Sequence, residues 1–147
     1  MDFNQAEQVA KGIINKKGRD ALKEVVDLLY ESFHYYDWVG IYIVQGNDLV
    51  LGPWRGKQPT EHTRIPIGTG ICGAAAATGN VELVNNVQED ARYLACFITT
   101  KSELVLPIKK EGKVVGEIDI DSNKPQAFTS QDVALVQRLA VLLSDVF

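Results

Sequence analysis

The chain contains only two thiols, Cys72 and Cys96, and these are the first candidates for chemistry. A thiolate is a strong nucleophile, and two thiols can cycle between a dithiol and a disulfide. Two cysteines in 147 residues cannot form a disulfide framework, so they act chemically or are ordinary buried residues. Cys72 lies near the start of a predicted short helix, where the helix terminus can lower the pKa of a thiol. Both interpretations of Cys72 stay open at this point.

Three acidic residues alternate with apolar ones in the segment "VVGEIDIDS". In a strand, Glu117, Asp119 and Asp121 share one face, and Ile118 and Ile120 share the other. A solvated face is the common explanation, because antiparallel sheets often expose one side to water.

The preceding strand adds a fourth carboxyl to this face. A three-residue hairpin loop at 110–112 would place Leu104 opposite Ile118 and Glu103 opposite Asp119. Like charges directly opposite each other destabilise a sheet, so either a cation is bound there or one carboxyl stays protonated and can act as a general acid. No histidine lies at ligand spacing, so we expect no metal site, and a divalent ion held by the acids is the weaker alternative.

The segment "GTGICG" at 68–73 matches the G-x-G-x-x-G pattern of dinucleotide-binding loops. That function requires a strand–turn–helix–parallel strand unit, with an acidic residue about 20 residues further on. Glu89 and Asp90 have that spacing, but they lie in an irregular stretch, and the sheet pattern is antiparallel. We therefore interpret the three glycines as a tight turn from a strand into a short helix.

Hydrophobic periodicity predicts an α+β fold. The pattern indicates a mostly antiparallel sheet of about six strands, with N- and C-terminal helices packed on one face. The predicted helices are 2–16, 20–33, 71–79 and a closing helix capped by Thr129 or Ser130. The predicted strands are 38–44, 49–54, 64–68, 81–87 and a hairpin over 102–122.

Composition limits the function classes. The net charge is −4 with a pI of about 5.1, and no Lys/Arg block is present, which disfavours nucleic-acid and acidic-membrane partners. No apolar run approaches 18 residues, and the polar N-terminus does not resemble a signal peptide. We expect a single domain over 1–147, located in the cytoplasm.

Several of these segments together resemble a known family, the GAF-fold free methionine-(R)-sulfoxide reductases. The most specific matches are "LVLGPWRGK", "RIPIGTGICG", "SELVLP" and "DIDS", together with the spacing of 24 residues between Cys72 and Cys96. The likeness extends from the second helix to the end of the chain. It implies a GAF-like fold, reduction of free L-methionine-(R)-sulfoxide, thioredoxin as the electron donor, a homodimer, and neither a metal nor an organic cofactor. The alternative function is a non-catalytic GAF domain that binds a small ligand as a sensor.

The resemblance also implies catalytic roles. Cys96 would be the nucleophile, becoming a sulfenic acid that a second thiol, Cys72, converts to a disulfide. Glu103, Asp119 and Asp121 would line the pocket, hold the substrate ammonium group and supply a proton to its oxygen.

Further features of the site follow from the same likeness. Trp38 and Tyr42 match the aromatic wall around the methyl-sulfur end of the substrate, although on their own they would be ordinary core residues. The family usually has a third cysteine ten residues before the position of Cys72, and here that position is His62, in a loop about two residues longer. Cys72 then resolves Cys96, or a small external thiol does, or activity is reduced or lost. His62 either lowers the pKa of Cys96 or is an exposed loop residue.

Overall fold

The structure is a computed structural model that describes residues 1–94 and 97–147, so Cys96 lies outside the described residues. The helices are α1 (Phe3–Lys17), α2 (Ala21–Ser32), α3 (Gly70–Thr78) and α4 (Ser130–Leu143). The strands are β1 (Trp38–Gln45), β2 (Asp48–Gly56), β3 (Arg64–Pro66), β4 (Glu82–Val84), β5 (Ser102–Lys110) and β6 (Lys113–Ser122). None of the helices in the described ranges is long and apolar enough to cross a membrane.

The six strands form one sheet in the order β3-β2-β1-β6-β5-β4, and each neighbouring pair is antiparallel. The predicted α+β class and six-stranded antiparallel sheet are confirmed. The described strands contain no parallel pair, so the strand–helix–strand unit that a dinucleotide loop needs is missing.

The two faces of the sheet pack against different parts of the chain. Helices α1, α2 and α4 cover one face, where Leu104, Leu106, Ile118 and Ile120 lie fully buried in the main core. Burying each such side chain contributes about 1.5–3 kcal/mol. Because a shift by one residue would turn these side chains to the opposite face, this core holds the acidic residues on the face away from the three helices.

Helix α4 begins at Ser130, with Thr129 as its N-cap. Asp132 completes the capping box, is fully buried, and accepts hydrogen bonds from the hydroxyls of Tyr35 and Tyr36 at 2.5 and 2.6 Å. These bonds tie α4 to the segment directly before β1, and so help to position the strand that carries Trp38.

The predicted β5–β6 loop is wrong. The turn consists of two residues, Glu111 and Gly112, with φ values of 52° and 79°, as the favoured two-residue hairpin turns require. A register shift between Ile108 and Lys109 also changes the pairing of β5 with β6 from the predicted one.

The register of the acidic residues changes accordingly. Glu103 stands opposite Asp121, and Val105 stands opposite Asp119, so the predicted pairing of Glu103 with Asp119 is wrong. Like charges still face each other directly across β5 and β6, because the shift amounts to two residues and keeps every side chain on its predicted face.

Candidate active site

Four carboxyls are buried on the face of the sheet opposite α1, α2 and α4. Glu103 comes from β5, and Glu117, Asp119 and Asp121 come from β6; their exposed fractions are 4%, 0%, 2% and 2%. We call these four residues the acid group. This acidic face is therefore buried, unlike the solvated faces that are common in antiparallel sheets.

Burial favours the protonated forms of the three carboxyls on β6, Glu117, Asp119 and Asp121. Burial raises the pKa of Glu117 well above its ordinary value, and the charge of Asp119 adds to the effect. The pKa of Asp121 is raised in the same way, first by burial and then by Asp119. Burial also raises the pKa of Asp119, although a hydrogen bond with Glu103 acts in the opposite direction. Protonated carboxyls at such a site can donate protons near neutral pH.

Several oxygens of the acid group have no hydrogen-bond partner within residues 1–94 and 97–147. These are both carboxyl oxygens of Glu117, Oδ1 of Asp119 and Oδ1 of Asp121. An unsatisfied buried polar group costs about 1–3 kcal/mol, and more when it is charged. Native proteins keep few such groups, so this part of the sheet is adapted to something other than stability.

Cys72 approaches the acid group from α3, which packs against β5 and β6. The residue is 7% exposed, and its thiol donates to Oε2 of Glu103 at 3.8 Å. Burial raises the pKa of Cys72 well above its ordinary value, and the charges of Asp119 and Glu117 add to this. The surroundings of Cys72 therefore favour the protonated thiol over a thiolate stabilised by the helix terminus.

The glycine pattern at 68–73 forms the turn that delivers Cys72. Gly68 and Gly70 have positive φ values of 98° and 71°, which other residues rarely adopt. A Cβ atom on Gly73 would lie 2.8 Å from the carbonyl oxygen of Pro66. These constraints explain the three glycines by turn geometry and close packing, as the sequence predicts.

Two aromatic residues of β1 border the acid group. Trp38 stands opposite Asp121 and Tyr42 opposite Glu117 across the β1–β6 pair, and both side chains belong to the apolar cluster on this face. The predicted common face of Trp38 and Tyr42 is confirmed.

The indole ring of Trp38 lies flat over two glycines. A Cβ atom on Gly40 would be 2.3 Å from the ring, and one on Gly56 would be 2.4 Å from it. The ring stacks on Trp54 with centroids 6.2 Å apart, and Phe97 lies at the same centroid distance on a tilted plane. The ring thus forms a fixed apolar wall beside the carboxyls.

The loop between β2 and β3 closes over this face through its backbone. The hydroxyl of Tyr42 donates to the main-chain carbonyl of His62 at 2.8 Å, and the amide of His62 donates to Oγ1 of Thr60 at 3.1 Å. Thr60 is buried, whereas His62 is half-buried. The interpretation of His62 as an exposed loop residue is therefore only partly correct, and its relation to Cys96 lies outside the described residues.

Two cavities flank the acid group. A larger one, of about 60 Å³, is lined by Trp38, Lys57, Phe97 and Asp121, among others. A smaller one, of about 10 Å³, lies between Tyr42, Cys72, Glu103 and Asp119. Acidic, aromatic and thiol groups therefore line two neighbouring cavities on one face of the sheet.

Comparison with known proteins agrees with this geometry. The model of the GAF domain family matches residues 18–146. The free methionine-R-sulfoxide reductase of Escherichia coli is 36% identical over 119 residues, which span 81% of this chain and 71% of the relative. The chain belongs to the free methionine-R-sulfoxide reductase family of GAF-domain proteins.

Solved structures of free methionine-R-sulfoxide reductases superimpose on nearly the whole chain. The enzyme from Neisseria meningitidis, solved in complex with its substrate, has a TM-score of 0.92 at 30% identity and covers 99% of this chain and 87% of its own. The type II enzyme from Thermoplasma acidophilum has a TM-score of 0.84 at 33% identity and covers 96% of this chain and 94% of its own. The resemblance inferred from the sequence is confirmed at the level of family and fold.

The structure brings together most of the residues predicted for a free methionine-R-sulfoxide reductase. The residues that meet on one face are Cys72, Glu103, Asp119, Asp121, Trp38 and Tyr42. Cys96 is the exception, since it lies outside the described residues. The roles assigned to these residues stay predictions.

Other members of this site were missed from the sequence. Glu117 shares a face with the predicted acids, but its complete burial depends on the packing of α3 and β1. Gly40 and Gly56 make room for Trp38, and glycines inside predicted strands are a known signal of such close approach. Lys57 follows β2 and had no distinguishing pattern, since its place beside Asp121 arises only from the fold.

Proposed function

We propose that this chain reduces free L-methionine-(R)-sulfoxide to methionine, with Cys96 as the nucleophile. The observation that carries the proposal is the convergence of the buried carboxyls of Glu103, Asp119 and Asp121 with the fixed indole ring of Trp38. The relatives named above add support, because they are enzymes named for this reaction.

The substrate is a small zwitterion, and the site offers complementary groups. The carboxyls of the acid group suit the ammonium group, and the ring of Trp38 suits the methyl-sulfur end. Lys57, at the rim of the larger cavity, is the cation that we assign to the substrate carboxylate. A site built for both charges of a free amino acid would disfavour the same residue inside a peptide, where both charges are absent.

The chemistry has three steps that balance. The Cys96 thiolate attacks the sulfoxide sulfur while a protonated carboxyl donates to the sulfoxide oxygen, which passes to Cys96 as a sulfenic acid and leaves methionine. The Cys72 thiol then displaces water from that sulfenic acid and forms a disulfide. Finally, a dithiol of the thioredoxin class reduces the disulfide and is itself oxidised. The raised pKa values of Asp119 and Asp121 support their role as proton donors.

Resolution by Cys72 is expected to be the slow step. Its thiol is buried and its pKa is raised, so the thiolate is scarce at neutral pH. We assign Cys72 as the resolving thiol because it is the only other cysteine of the sequence, and we expect Cys96 sulfenic acid to accumulate because this step is slow.

The decisive experiment is a steady-state assay with both sulfoxide epimers, comparing wild type, Cys72→Ser and Cys96→Ser. We expect turnover of the R epimer only, and no activity in Cys96→Ser with any reductant. Cys72→Ser should lose activity with thioredoxin and keep it with dithiothreitol. If wild type shows no turnover with either reductant but binds methionine or its sulfoxide, the proposal fails and the sensor function is favoured.

Other properties implied by the family resemblance are also proposals. We propose that residues 1–147 act as one domain, that the protein is a homodimer in the cytoplasm, and that it has no nucleic-acid or membrane partner. The net charge of −4 supports the last point. Sedimentation equilibrium measures the oligomeric state directly, and a monomer at micromolar concentration would contradict the dimer.

A further inference from the structure

We propose that the smaller cavity is also a binding site for a soft divalent cation of the zinc class, with Cys72, Glu103 and Asp119 as its ligands. The Sγ atom of Cys72 and one carboxyl oxygen from each acid all lie within 4.8 Å of one another. Zinc holds sulfur at about 2.3 Å and oxygen at about 2.0–2.2 Å, so closing these atoms onto an ion requires side-chain shifts of about 1 Å.

The buried oxygens without partners are the second, independent observation. Asp119 lines the cavity, and its Oδ1 has no hydrogen-bond partner among the described residues. Glu117 lies two positions before it on the same face, fully buried, with neither oxygen partnered in that part of the chain. Such groups are costly unless something satisfies them, and a cation in the cavity would satisfy the free oxygen of Asp119.

The lining of the cavity contains no competing positive charge. None of its described residues is a lysine, an arginine or a histidine. The two carboxyls in this wall, Glu103 on β5 and Asp119 on β6, come from neighbouring strands. A dication is the small group that best offsets this charge, because it reverses the local electrostatics that disfavour ionised carboxyls.

The ligand types select the class of metal. Mg²⁺ and Ca²⁺ take oxygen ligands, whereas a thiolate together with two carboxylates suits Zn²⁺ and its larger analogue Cd²⁺. Binding converts the Cys72 thiol to a metal thiolate and releases its proton to the solvent, together with the proton of any ligand carboxyl that is protonated before binding. The cavity volume of about 10 Å³ matches a single ion and not an organic ligand.

One consequence concerns turnover, and it rests on the proposed function. The carboxyls that would hold the ion are those assigned to the substrate, and the thiolate is the one assigned to resolution. Metal and methionine sulfoxide would therefore exclude each other, and zinc would act as a competitive inhibitor. Metal binding itself does not depend on that function and is tested without any assay of activity.

The primary test is titration of the fully reduced protein with Cd²⁺ under argon, followed by the ultraviolet charge-transfer absorption of the cadmium–thiolate bond. Wild type should bind one Cd²⁺ per chain with this absorption, and excess Zn²⁺ should abolish it. Cys96→Ser should keep the absorption and Cys72→Ser should lose it. Persistence of the absorption in Cys72→Ser would overturn the proposal, because the ion would then sit on Cys96.

The carboxylate ligands are tested with a matched pair of variants. Asp119→Asn should weaken Cd²⁺ binding at least tenfold, whereas Asp90→Asn, which changes an acid paired with Arg92 outside the cavity, should not. Circular dichroism checks that both variants fold. Equal affinity in Asp119→Asn and wild type would contradict the assigned ligand set.

A measurement on wild type alone avoids the risk that a core variant does not fold. Zn²⁺ should slow the labelling of Cys72 by iodoacetamide at least tenfold, as followed by peptide mass spectrometry, while Mg²⁺ should have no effect. Unchanged labelling in saturating Zn²⁺ would overturn the site, whatever the result of the activity assay.

Discussion

The hydroxyl of Tyr42 donates a 2.8 Å hydrogen bond to the main-chain carbonyl of His62. This contact joins the middle of β1 to the loop between β2 and β3. The loop is therefore held over the acid group by its backbone. Because a main-chain carbonyl accepts the bond, the contact does not depend on which side chain occupies position 62.

Removal of this hydroxyl should loosen the loop. Tyr42→Phe keeps the ring and removes a hydrogen bond that contributes about 0.5–1.5 kcal/mol. We expect the KM for methionine-(R)-sulfoxide to rise about three- to tenfold, with kcat within twofold of wild type. Tyr30→Phe, on α2 and outside the site, is the matched control, and a fall in kcat with an unchanged KM would contradict the role given to the loop.

Gly40→Ala should displace the indole ring of Trp38. The new methyl group would overlap the ring, since its carbon would lie 2.3 Å from the nearest ring atom. We expect kcat/KM to fall at least tenfold and the tryptophan fluorescence to change. Gly12→Ala on α1 is the control, because no atom lies within 4 Å of its added Cβ, and it should keep full activity while gaining up to about 1 kcal/mol of stability. Full activity in Gly40→Ala would show that catalysis does not need the Trp38 ring in its observed position.

Glu117→Gln should make stability less dependent on pH. In wild type, burial raises the folded pKa of Glu117 well above its ordinary value of 4.5, so its stabilising contribution is complete below about pH 4.5 and is lost as pH rises through the raised pKa. Glutamine removes the ionisation, so the variant should gain about 1–3 kcal/mol in free energy of unfolding at pH 8 and almost nothing at pH 4. Urea denaturation between these pH values, in buffer containing a chelator, measures the difference.

The control for that experiment is Glu89→Gln, a change at an exposed glutamate. Its stability should follow wild type at every pH. A Glu117→Gln variant that parallels wild type across the range would mean that Glu117 is ionised without cost in the folded protein.

Lys57→Ala tests recognition of the substrate carboxylate. Loss of a charge-assisted hydrogen bond costs about 1.5–3 kcal/mol, so KM for methionine-(R)-sulfoxide should rise at least tenfold. The amide of methionine sulfoxide lacks the carboxylate, so wild type and variant should process it with similar kcat/KM. Lys113→Ala, at the far end of the β5–β6 hairpin, should behave as wild type. An equal loss of kcat/KM for the acid and the amide would mean that Lys57 does not recognise the substrate carboxylate.

The outline of the fold followed from local patterns. The alternation in "VVGEIDIDS" determined which residues share a face, and the pattern survives a two-residue change of register. The glycines at 68–73 predicted a turn into a helix because their conformational needs are local. The proposed reaction came from family-specific segments and not from periodicity.

Tertiary packing decided the burial, the pairing and the charge states of the site residues. Complete burial of Glu117 depends on α3 and β1, which are distant in sequence, and the pairing of Glu103 with Asp121 depends on a two-residue turn and a register shift. The raised pKa of Cys72 is likewise a product of burial among carboxyls from β5 and β6. The sequence by itself determined which chemical groups are present and which face they share. Only the tertiary structure decided their distances, solvation and charge states, because these depend on contacts between elements far apart in the chain.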